Sequence, residues 1–92
     1  MVDERQKIRR VERILIEKTA DLGEDEREAC LKLWKAVARK RKIRGKPESW
    51  AAAVYYTYCR MIIKEGVSRK SVEELFKVSQ GTFTRRYTEI RK

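Results

Sequence analysis

The chain has 92 residues, with 24 lysines and arginines against 14 acids, no histidine and a formal net charge of +10. This length suits one domain, and equal hydrophobic and charged fractions of 41% suit short amphipathic helices better than a disordered chain. So positive a surface attracts polyanions by releasing their counterions, which makes nucleic acid the first partner expected, with an anionic membrane the lesser alternative.

Cys30 and Cys59 lie 29 residues apart without a CxxC or any histidine, which argues against zinc. Both fall among apolar neighbours at helical spacing and read as reduced core thiols of an intracellular protein. No apolar run approaches the ~20 residues that span a bilayer, and the charged N-terminus lacks the stretch of a secretory signal. The expectation is therefore a cytoplasmic, nucleoid-associated protein.

From Asp3 to about Ala20, the residues Ile8, Val11, Leu15 and Thr19 fall on one helical stripe, widened by Ile14 and Leu22, which predicts a first amphipathic helix. Asp21-Leu22-Gly23 breaks it. A second helix opens on Glu24, Asp25 and Glu26, whose charges favour a helix N-terminus, and buries Cys30, Leu33, Trp34 and Val37 at i, i+3, i+4 and i+7. Arg39, Lys40, Arg41, Lys42, Arg44 and Lys46 then give six bases and no acid between residues 39 and 46, more than helix capping requires.

Gly45 and the sole proline, Pro47, mark the next joint, since proline suits a first helical turn. The third helix, Pro47 to about Glu65, carries Trp50, Ala51, Ala52, Ala53, Val54, Tyr55, Tyr58, Cys59, Met61, Ile62 and Ile63 around most of its circumference. It is the expected central helix, buried on several sides, with the alanines letting neighbours approach closely. Gly66 stops it, a short helix follows from about Ser71 to Phe76, and Lys77-Val78-Ser79 turns the chain. Ser79 is then placed to cap a last helix from Gln80 to about Arg91.

The final two helices carry the functional signal. Val72 and Phe76 are one turn apart, Phe83, Tyr87 and Ile90 follow at i, i+4 and i+7, and Val78 can plug the corner between them. That is the pattern of a helix-turn-helix spanning about 71–91. With the aromatic side inward, Gly81, Thr84, Arg85, Thr88 and Lys92 face outward, and Gln80 and Thr82 lie at the first turn. Arg85 can pair bidentately with guanine, the threonines can contact phosphates or thymine methyls, and Gly81 lets a phosphate approach the backbone. Arg86 and Arg91 fall to the flanks, as phosphate contacts that position the helix.

The stretch from Arg44 to Lys92, with GKPESWAAAVYYTYCRM followed by VSQGTFTRRYTEI, resembles the cyclin-like repeat of transcription factor IIB, especially the archaeal factors. In that family a basic residue and a small-residue AAA run open the third helix, matched here by Ala51, Ala52 and Ala53. A V-S-x-G-T-hydrophobic-x-R-R-Y-x-E-hydrophobic string forms the fifth, matched by Val78, Ser79, Gly81, Thr82, Phe83, Arg85, Arg86, Tyr87, Glu89 and Ile90. The resemblance implies an all-α, five-helix cyclin-like bundle over residues 1–92 with a C-terminal helix-turn-helix. It also implies a reading face of Gln80, Thr82, Thr84, Arg85 and Thr88 toward a major-groove element. The chain departs from the family in having one repeat's length, no ribbon cysteines, Glu73 where a small residue is usual and Lys77 where the turn usually has glycine.

The sequence thus points to a DNA-binding transcription regulator or auxiliary factor whose partner is double-stranded DNA, with residues 39 to 46 gripping phosphate. A second reading is a cyclin-fold adaptor that meets an acidic partner or the transcription machinery. RNA is a third, with Tyr55, Tyr56 and Tyr58 as nominal stacking residues that helical spacing assigns mostly to the core. An enzyme is not expected: no histidine, glycine-rich phosphate loop or acid pair assembles a catalytic site, and neither a cofactor, a metal nor a small-molecule substrate is implied.

Overall fold

The computed structural model describes residues 4–20, 23–40, 42–43, 45–62 and 66–91, which form five α-helices and, among the described residues, no strand. They are α1 (Glu4–Lys18), α2 (Glu24–Lys40), α3 (Pro47–Met61), α4 (Arg69–Phe76) and α5 (Gln80–Arg91). The order and number follow the hydrophobic periodicity, and α3 packs against each of the other four.

The first two helices close one side of α3. On α1 Val11 and Leu15 are fully buried, and so is Thr19 just past its end, whose hydroxyl donates to the Leu15 carbonyl and is thereby satisfied. On α2, three acids in the first turn and Arg39 and Lys40 in the last complement the helix dipole. Trp34 is fully buried, donates from its indole N–H to the Ile8 carbonyl at 3.2 Å, and lies 6.1 Å from Trp50 between ring centroids. One side chain thereby fixes α2 against both α1 and α3.

The centre of α3 is closed on every side: Trp50, Ala51, Ala52, Ala53 and Val54 have no exposed surface. Three consecutive alanines leave room for neighbouring helices to come close, and the aromatic residues on either side fill the wider spaces. Tyr55, Tyr56 and Tyr58 are buried as well, as is Cys59, while Cys30 of α2 is a second buried thiol. Burial, with Glu26, Cys30 and Cys59 nearby, pushes the Tyr58 hydroxyl above its usual pKa.

The end of α3 differs from the expectation that Met61 and Ile62 belong to its buried sides. Met61, at the end of the helix, is 68% exposed and Ile62, just after it, 44% exposed. Its last residue is Met61; Ile63 and Glu65, expected in the same helix, lie outside the described residues.

The short α4 is held at both ends by local hydrogen bonds. Ser68 accepts from the Ser71 N–H at 3.1 Å while the Ser71 side chain accepts from the Ser68 N–H at 3.0 Å, so the helix starts two residues before the expected Ser71. At the other end the Val78 N–H donates to the Glu73 carbonyl and the Lys77 N–H to the Glu74 carbonyl, the two bonds of a Schellman motif. That motif demands a left-handed residue after the helix, and Lys77 supplies it at φ 56°, ψ 51°. Lysine therefore adopts the backbone that glycine would adopt more cheaply.

Among the described residues, no helix is long and apolar enough to cross a membrane.

Candidate nucleic-acid interface

The outer face of α5 is set by how its inner face docks. Phe83 is fully buried against Tyr56 at 5.4 Å between centroids, Tyr87 lies 5.0 Å from the same ring, and Val78 and Ile90 are half-buried beside the core. Arg69 of α4 adds a polar clamp, since its guanidinium lies 5.6 Å from the Phe83 ring and donates to the Thr84 hydroxyl. Rotation of α5 about its own axis would break these contacts together.

With the helix fixed in this way, Gln80, Gly81, Arg85, Thr88 and Arg91 are exposed, and Thr82 and Thr84 are half-buried. Several of the hydroxyls are already engaged. Thr88 donates to the Thr84 carbonyl at 2.8 Å, and Ser79 donates to the Thr82 hydroxyl at 2.9 Å while accepting a long 3.4 Å bond from the Thr82 N–H. The Arg91 guanidinium rests 5.4 Å from the Tyr87 ring. Lys92 lies outside the described residues.

Arg86 differs from its expected place on the flank. Its side chain is only 11% exposed, its guanidinium lies 5.1 Å from the Trp50 ring, and Nη1 donates to Glu89 at 3.0 Å. The reason is positional: Arg86 follows Phe83 by three residues and so shares its inward side. Its charge is engaged inside the protein, so its task is to hold α5 and the α2–α3 joint together. Gly45, at φ +83°, completes that contact, because a Cβ built there would come 2.6 Å from Arg86 Nη2.

The basic run is only partly gathered into the same surface. Arg39, Lys40, Lys42 and Lys46 are exposed, while Ile43 is 3% exposed and anchors the segment to the core. Arg41 and Arg44 lie outside the described residues. Lys46 alone among the described members of the run reaches α5, lining with Lys77, Arg85 and Arg86 a cleft of about 290 Å³ between the start of α3 and the α4–α5 turn. A wider depression of about 600 Å³ shares Lys46 and Lys77 and continues toward Arg10 and Lys18 of α1, where Glu17 and Glu48 dilute its charge.

No protein-family model, curated protein or solved structure matches this chain.

Among the described residues no group of histidine, cysteine and acid side chains is placed to hold a metal ion. Two residues of this candidate surface escaped the sequence reading as contributors. Lys77 stood out there only as a departure from glycine, and Arg69 carried no signal, because its partner Thr84 is 15 residues away on another helix.

Proposed function

We propose that this chain binds double-stranded DNA, with α4, the Lys77-Val78-Ser79 turn and α5 acting as a helix-turn-helix in a five-helix cyclin-like bundle. In this reading α5 enters the major groove, and the protein serves as a transcription regulator or auxiliary factor resembling one cyclin-like repeat of transcription factor IIB. The observation that carries the reading is the docking of Phe83 and Tyr87 on Tyr56, which leaves Arg85 exposed on the opposite side of α5. A net charge of +10 supports the same partner.

The roles then divide by reach. Arg85, with Gln80 and Thr88 beside it, faces base edges; Gly81 admits a phosphate to the helix N-terminus; Lys46 and the exposed Arg39, Lys40 and Lys42 contact the backbone. Thr84 acts chiefly inside the protein, as the acceptor for Arg69.

Titration with a mixed-sequence duplex at two salt concentrations tests the partner, and strong binding that weakens steeply with salt is expected. Selection of bound sequences from random duplex then supplies a site for testing specificity. On that site Arg85→Ala costs ~1–3 kcal/mol and relaxes the preference at one base pair. Equal loss on every sequence would make Arg85 a phosphate contact, and no binding at low salt would overturn the reading in favour of an adaptor.

A further inference from the structure

We infer that the cleft between the start of α3 and the α4–α5 turn is a seat for a single phosphate group. For a duplex this rests on the reading above, and the group is then one backbone phosphate. The cleft measures about 290 Å³, at the lower edge of the range for small-molecule sites, so it fits a compact anion better than an extended ligand. Lys46, Lys77 and Arg85 reach it from three different segments, and among the described residues no acid lines it.

Lys46 and Lys77 supply the charges left for the phosphate, while Arg85 borders the cleft and keeps its role toward base edges. Arg86 is paired with Glu89 and forms the wall of the cleft, whereas among the described residues no carboxylate pairs with Lys46 or Lys77. Like charges held around a concavity repel, and a tetrahedral anion placed among them reverses the sign of that interaction. Ser79 and Thr82 line the same cleft, and their hydroxyls are short polar groups suited to phosphate oxygens. Ser49 is fully buried and donates to the Lys46 carbonyl at 2.6 Å, which fixes the first turn of α3 beneath the cleft.

Lys77 ties the site to backbone strain. It is the one residue other than glycine at positive φ among the described residues, and it lines the cleft. Glycine would satisfy the turn with less strain but would remove a cation from the seat. A strained backbone at a ligand site is where a structural cost is offset by function.

The test compares the wild-type chain with Lys77→Gly and Lys46→Gln by thermal melts and by duplex titration over a range of salt. Lys77→Gly raises Tm by roughly 4 °C through relief of the turn, yet weakens duplex binding about five- to tenfold at 0.1 M salt on every sequence and lowers the salt slope by about one. Lys46→Gln gives the same loss of slope without the rise in Tm. A higher Tm with an unchanged slope would overturn the seat and leave Lys77 a feature of the turn alone.

If the wild-type chain binds no duplex, the nucleic-acid reading falls separately, and inorganic phosphate decides the cleft. Phosphate raising the wild-type Tm above a chloride control of equal ionic strength, with no rise for Lys77→Gly, assigns the seat to free phosphate. Equal rises in both proteins, or none in either, would overturn it.

Discussion

Gly45 and Gly81 show how local geometry decides the effect of the same substitution. Gly45 sits at φ +83° with Arg86 Nη2 2.6 Å from where a Cβ would lie, whereas a Cβ on Gly81 meets nothing within 4 Å. Gly45→Ala therefore destabilises the protein by at least ~1–2 kcal/mol from the left-handed backbone alone, and displaces Arg86 from Trp50. Gly81→Ala, in the first turn of α5, stabilises by up to ~1 kcal/mol and weakens duplex binding, because the added methyl keeps a phosphate from the backbone. Urea denaturation with a parallel duplex titration checks both, and Gly81→Ala binding as well as wild type would remove the helix N-terminus from the contact surface. Arg86 marks the limit of reading at this scale. Its spacing from Phe83 places it inward, but its contact with Trp50 joins residues on separate helices, and no local pattern announces that pair.

At the scale of elements, periodicity carried most of the information. The stripes of α1 and α2, proline at the start of α3 and the aromatic spacing of α5 each reflect a side of a helix that must leave water, so each was legible in the sequence. The start of α4 was not, since Ser68 and Ser71 form a reciprocal cap that is distinguished from ordinary turn serines only by its backbone geometry. Nor was the exposed end of α3, because Met61 and Ile62 are apolar whether or not a neighbour reaches them. The orientation of α5 can be tested by contrast. Phe83→Ala, at the buried contact with Tyr56, costs ~3–5 kcal/mol in urea denaturation, while Thr88→Ala on the outer side changes stability by less than ~0.5 kcal/mol. Comparable losses at the two positions would mean that the helix docks on a different face.

Across the whole molecule, the central position of α3 joins structural support to the proposed contact surface. Its N-terminal turn supplies Lys46 and Ser49 to the cleft, its Trp50 receives Arg86, and its Tyr56 receives both Phe83 and Tyr87. The cationic surface is thus assembled from distant parts of the chain by one buried helix, which is why composition disclosed its charge but only the fold disclosed its shape. The described basic residues do not all converge: Arg39, Lys40 and Lys42 are exposed but do not line the cleft. The most direct test maps the contact itself, by following the amide and arginine side-chain resonances of isotope-labelled protein as duplex is added. The largest shifts are predicted at Gln80, Gly81, Arg85 and Thr88, with Lys46 and Lys77 beside them and little change along α1; shifts concentrated on α1 and α2, with α5 silent, would contradict the account.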